Sequence, residues 1–156
     1  MILTLSHPLD YIRWLLGQVS SLWAFTARLG DLQLDVEDSA EIGLRFVSGA
    51  LGSVHLDYVQ RPPAQRLEII GSQGTIQWES ADGSARLFRA GRGEWEVFPP
   101  PEGFERNTLF LEQMRHFLDV ARGQAQPLCT LQDGIEALRL ALAAHASQAQ
   151  GQLITL

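Results

Sequence analysis

Between Val19 and Phe98 the apolar residues of this chain recur at every second position. Ala40, Ile42, Leu44 and Phe46 alternate with Glu41, Gly43 and Arg45. Val54, Leu56 and Tyr58 alternate with Ser53, His55 and Asp57. Ile76 and Trp78 alternate with Thr75 and Gln77, and Trp95 and Val97 with Glu94 and Glu96. A period of two sends alternate side chains to opposite faces of a strand. The stretch therefore predicts a sheet with one face on a core and one face more polar. Turn residues bound each run: Ser48-Gly49, Arg61-Pro62-Pro63, Gly71-Ser72-Gln73-Gly74, Asp82-Gly83 and Gly91-Arg92-Gly93. Short turns between successive strands imply a largely antiparallel meander.

The flanks have a helical period. Leu9, Ile12, Leu15 and Leu16 predict a helix over Ser6–Leu16, with Ser6 as cap, Pro8 in the first turn and Gly17 at the end. Phe110, Met114, Phe117, Leu118 and Ala121 form the apolar stripe of a second helix, about Phe104 to Arg122. Thr130 and Asp133 make a capping box for a third, whose stripe is Leu131, Ile135, Leu138 and Leu142 and whose end is Gly151. Leu153 to Leu156 reads as a last short strand. The expected fold is α+β: an open, largely antiparallel or mixed sheet with helices packed on one face, in a single domain over 1–156.

Composition narrows the chemistry. The 156 residues are 46% hydrophobic and 19% charged, a globular profile. All twelve basic residues are arginine. With no lysine, the chain alone builds no P-loop, Schiff-base or kinase site. A net charge of −6 without a basic block argues against nucleic acid or an anionic membrane as partner. Cys129 alone makes neither an internal disulfide nor a cysteine-rich zinc site, so a cytoplasmic location and no metal are expected. Met1–Leu5 is too short for a signal peptide, and no apolar run is long enough to span a bilayer.

Candidate sites follow residue by residue. Ser53, His55 and Asp57 have the types of a catalytic triad, but on a strand successive members lie ~6.6 Å apart, too far for direct contact. They are read as part of the sheet's polar face. With Trp23, Phe25 and Trp78, His55 is a candidate for an assembly surface. His145 is expected to pack near its helix end, and His116 to face solvent. Gly91-x-Gly93 and Gly71-x-x-Gly74 stand between strands, whereas a dinucleotide loop joins a strand to a helix, so no Rossmann fingerprint is present. His7, with Asp10 one turn later at the start of a helix, is a weak signal by itself.

The run Ile2 to Gly17 resembles the opening of the C-terminal domain of the Gfo/Idh/MocA family. These are NAD(P)-dependent oxidoreductases related to glucose-fructose oxidoreductase and inositol 2-dehydrogenase. His7, Asp10, Trp14, Leu15 and Gly17 carry the likeness. Val36–Ala40 is similar to the lead-in of the family's second long strand, Phe46–Ser53 to its Gly-rich hairpin, and Leu67–Ile76 to its Gly-x-x-Gly hairpin. The resemblance implies the substrate-binding and oligomerisation domain of an oxidoreductase acting on a sugar, polyol or related carbonyl or alcohol. NAD or NADP would be held by an N-terminal Rossmann domain that these residues do not include, and none by this chain alone. By the same likeness His7 is the acid/base or substrate contact, with Asp10, Tyr58, Gln60 and Arg61 as substrate-binding candidates. Many family members carry aspartate four residues before the histidine; here that position is Leu3. The likeness also implies a homo-oligomer through the open sheet face. The rival reading is a non-catalytic dimerisation module using the same face.

Overall fold

The computed structural model describes all of Met1–Leu156. The elements run α1 (His7–Leu16), β1 (Val19–Ala27), β2 (Ser39–Phe46), β3 (Leu51–Asp57), β4 (Arg66–Gly71), β5 (Gly74–Glu79), β6 (Ala85–Arg89), β7 (Glu94–Phe98), α2 (Arg106–Ala121), α3 (Leu131–Gln150) and β8 (Ile154–Thr155). The α+β class and the antiparallel pairing stand. The strands form two four-stranded sheets, ordered β3-β2-β1-β8 and β4-β5-β6-β7. Two compact units result: residues 1–59 with 128–156, and residues 60–127. No helix is long and apolar enough to cross a membrane.

The first unit is built on the even-numbered side of its sheet. Leu22, Ala24, Ala40, Ile42, Leu44, Phe46, Val54 and Leu56 are buried there, with Leu9 and Ile12 of α1 and Leu140, Ala141 and Ala144 of α3. Backbone groups of β1 reach α3 directly. The Ala24 amide donates to Ser147 Oγ at 2.9 Å, and that hydroxyl donates to the Gln152 carbonyl at 2.7 Å. β8 pairs back onto β1 at Leu22 and Ser21, as the last apolar residues predict.

The capping box of α3 forms as read: the Asp133 amide donates to Thr130 Oγ1, and the Thr130 amide donates to the Asp133 carboxylate at 2.8 Å. Gly151 closes the helix at φ +63, a left-handed conformation that glycine adopts at little cost. α1 starts differently. Ser6 makes no side-chain cap; its carbonyl accepts from Leu9 and Asp10 instead. Beside these elements the Glu37 carboxylate accepts the Ile2 amide at 2.9 Å.

The two expected helix stripes are corrected. Leu131, Ile135, Leu138 and Leu142 of α3 are exposed, Leu131 by 83%. The buried residues are Ala137, Leu140, Ala141, Ala143, Ala144 and Ser147. Small residues let the helix axis approach the sheet, and that closeness selects the alanine face over the leucine one. α2 buries no residue completely: Phe110, Met114, Phe117 and Leu118 are exposed, while His116, read as solvent-facing, is half-buried.

The second unit is a four-stranded antiparallel meander with α2. Its strand β6 shows no clear alternation in the sequence. Every fully buried hydrophobic residue of the chain belongs to the first unit. The second sheet is held by its backbone ladders and by surface pairs such as Arg66–Glu79 at 3.0 Å and Gln77–Glu68 at 2.7 Å.

Candidate functional site

α1 places the residues singled out first. His7 opens the helix and is exposed. Asp10, half-buried, lies one turn on, on the same side of the helix. Its carboxylate is 3.6 Å from Arg13, which in turn bonds Asp133 of α3 at 2.6 Å. Asp133 also receives the Thr130 hydroxyl at 2.6 Å. The Thr130 hydroxyl and amide, and then Arg13, hold the Asp133 carboxyl well below the usual carboxylate range. The same Asp133 bond raises Arg13. An acid–base–acid chain thus ties the helix bearing His7 to the first turn of α3. No sequence pattern announces it, because Arg13 and Asp133 are 120 residues apart.

This anchor has a pH signature. A carboxyl depressed by folding stabilises the native state above its unfolded pKa of about 4. That contribution fades as pH falls below about 4. Asp133→Asn should therefore lower the urea midpoint at pH 7, and its deficit against the wild type should shrink on acidification to pH 3. A deficit of constant size from pH 7 to pH 3 would contradict the assignment.

The other predicted residues are spread out. Tyr58 follows β3 and packs half-buried against the first unit's core, its amide donating to the Asp38 carbonyl at 2.9 Å. Gln60 and Arg61 lie in the second unit. All three lie past the end of β3 at Asp57 rather than on the strand.

His55 needs a correction. Its Nε2 lies 3.0 Å from Asp57 Oδ2, because the two side chains lean together along the strand. Its Nδ1 lies 2.7 Å from Glu41 Oε1 on β2. With both ring nitrogens facing carboxylates the imidazole acts as a double donor. The Glu41 bond, first of all, outweighs the opposing effect of burial and, with the help of Asp57, raises its pKa. This is an ionic clamp rather than a base waiting for a serine. Register pairs Glu41 with His55, a contact that composition alone cannot give. His145 is half-buried, with Nε2 3.7 Å from Glu37. Cys129 is exposed. No group of three His, Cys, Asp or Glu side chains is arranged to hold a metal ion.

A dinucleotide cradle needs a glycine loop between a parallel strand and a helix. Gly71–Gly74 turns β4 into β5, and Gly91–Gly93 turns β6 into β7, both antiparallel. These residues do not form such a cradle.

The fold is one found in dehydrogenases solved with nicotinamide cofactors. The chain resembles the WlbA dehydrogenase of Bordetella pertussis, solved with NADH and UDP-GlcNAcA, at 26% identity and a TM-score of 0.74. The match covers 97% of this chain and 43% of that one. An oxidoreductase from Agrobacterium radiobacter, solved with NAD+, L-tartaric acid and magnesium, aligns at 24% identity and TM-score 0.80 over 96% of this chain and 47% of that one. Levoglucosan dehydrogenase with NADH and levoglucosan aligns at 19% identity and TM-score 0.84, over 97% and 48%. The chain thus spans less than half the length of these structures. No curated protein matches it in sequence. Residues 1–77 match the GFO/IDH/MocA C-terminal domain, a stretch that contains all the segments quoted above for the resemblance. Over this stretch, just under half of its length, the chain matches the Gfo/Idh/MocA family as a C-terminal domain.

Proposed function

We propose that this chain is the substrate-binding and oligomerisation part of a cytoplasmic NAD(P)-dependent oxidoreductase. In this reading a nucleotide-binding domain outside these residues holds the cofactor. The cofactor accepts or gives the hydride at a sugar, polyol or related carbonyl or alcohol carbon. His7 contacts the reacting oxygen and exchanges its proton, a task suited to imidazole, which titrates nearest neutral pH. Asp10 helps orient the substrate, and Tyr58, Gln60 and Arg61 are further contacts.

The observation that carries this reading is the family match over residues 1–77, which contains His7 and Asp10. Supporting it, two of the similar dehydrogenases were solved with UDP-GlcNAcA and with levoglucosan. The homo-oligomer is supported by a sheet whose outward side carries the exposed Trp23 and Phe25. That same face supports the second reading, a non-catalytic dimerisation module.

Two measurements test the proposal. The reading frame immediately upstream should encode a strand, a Gly-x-Gly-x-x-Gly turn, a helix and a Glu-Lys-Pro segment. Calorimetry of the 156-residue chain with NADH and with NADPH should give no heat of binding. Micromolar binding to this chain would overturn the division of labour, and an unrelated upstream frame would favour the second reading.

A further inference from the structure

His7, Asp10 and Arg13 follow one another at intervals of three along α1, so they stand in one row of the helix surface. The third member of the row is the fixed one. Arg13 Nη2 lies 2.6 Å from Asp133 Oδ1 and 3.6 Å from Asp10 Oδ1, so a single nitrogen faces both carboxylates. The arginine side chain is 16% exposed, against 42% for Asp10 and 33% for Asp133: the cation is enclosed and the acids reach the surface. Its Nε is buried and has no hydrogen-bond partner. Native structures rarely bury an unpaired donor, and the exceptions mark positions where another requirement governs the residue. An apolar side chain would leave no orphan donor here, but only a long, planar, permanently charged group meets both carboxylates at once.

We propose that Arg13, clamped by Asp133, is a positioning residue for Asp10. This rests on the reading of His7 and Asp10 as substrate contacts, and adds what holds the second of them still. An exposed ion pair three residues apart on a helix orders little, because both side chains wander. This pair differs in its cation. Asp133 divides its two oxygens: Oδ2 takes the Thr130 amide at 2.8 Å and hydroxyl at 2.6 Å, and Oδ1 takes Arg13. The guanidinium is thus gripped by an acceptor that belongs to α3 and is itself held by that helix's cap. Asp10 meets a stationary charge, and its carboxylate is kept on the Arg13 side of the row instead of swinging freely beside His7. A contact whose rotamer is locked beforehand gives up less freedom when substrate arrives. Arg13 acts through Asp10 and not on substrate directly.

Side-chain NMR of the 156-residue chain tests this without a ligand. In the wild type the two Hα–Hβ couplings of Asp10 should be one large and one small, as a single rotamer gives. Arg13→Gln and Asp133→Asn should each collapse them to two similar intermediate values, and the double variant should do no more than either single one. Far-UV circular dichroism verifies that each variant is folded. Ile12→Val loosens the packing of α1 without touching a charge, and should leave the large–small split in place. If Asp10 keeps its split in Asp133→Asn, the clamp from α3 does not position it and the proposal falls. It falls equally if the couplings are already averaged in the wild type, or if Ile12→Val averages them as fully as Arg13→Gln. If both charge variants average Asp10 while His7→Ala leaves turnover unaltered, the clamp stands and the catalytic reading fails.

Discussion

His7→Ala in the proposed two-domain oxidoreductase should lower kcat by roughly 10²- to 10⁴-fold, the range a positioned general acid or base contributes. Affinity for NAD(H) should be nearly unchanged, because the chain's two glycine turns are hairpins that form no dinucleotide cradle. A second variant separates chemistry from contact. His7→Gln can hydrogen-bond a substrate oxygen but cannot carry a proton at neutral pH. If His7 transfers the proton, glutamine should fare almost as badly as alanine in kcat. If His7 only orients substrate, glutamine should recover much of the rate and the loss in alanine should appear chiefly in KM. Unaltered kcat and KM in both variants would remove His7 from the mechanism.

Phe46→Ala should destabilise the first unit by about 3–5 kcal/mol. The ring is 1% exposed and touches the flank of Gly52. Ile12 of α1 reaches that same spot, so truncation opens a gap between the sheet and the helix that carries His7. Against a typical total of 5–15 kcal/mol this is a large share, readable as a fall in the urea midpoint. Phe98→Ala is the contrast. That ring is 46% exposed, and its loss should shift the midpoint far less. Equal effects of the two substitutions would contradict the placement of the core.

The parts of this fold legible in the sequence are those governed by local chemistry. Thr130, Asp133 and Gly151 start and stop α3 where their side chains and backbone freedom dictate. The alternation at Ala40–Phe46 and Val54–Leu56 marks the buried side of β2 and β3 correctly. What the sequence leaves open depends on distant neighbours. On α3 a leucine stripe and an alanine stripe compete; hydrophobicity favours leucine, but packing against the sheet selects alanine. The division into two sheets follows Arg61-Pro62-Pro63, which reads locally as one more turn. At the candidate site, His7 and Asp10 are singled out through the family resemblance. Arg13–Asp133 and Glu41–His55 are contacts of register and tertiary packing, with no local signature in either partner's surroundings.

The second unit lacks a dry interior, and this governs how its sequence is able to change with time. A side chain in a packed core is constrained by every neighbour it touches, so replacements there are purged. In the β4–β7 meander cohesion resides in main-chain ladders, in surface pairs such as Arg66–Glu79 and in half-buried side chains such as Leu67, Trp78 and Leu87. Side chains of the β4–β7 meander are therefore less tightly constrained than those of α1, its anchor on α3 and the sheet beneath them. Fixity is concentrated around His7, and freedom to acquire new surfaces lies in the meander.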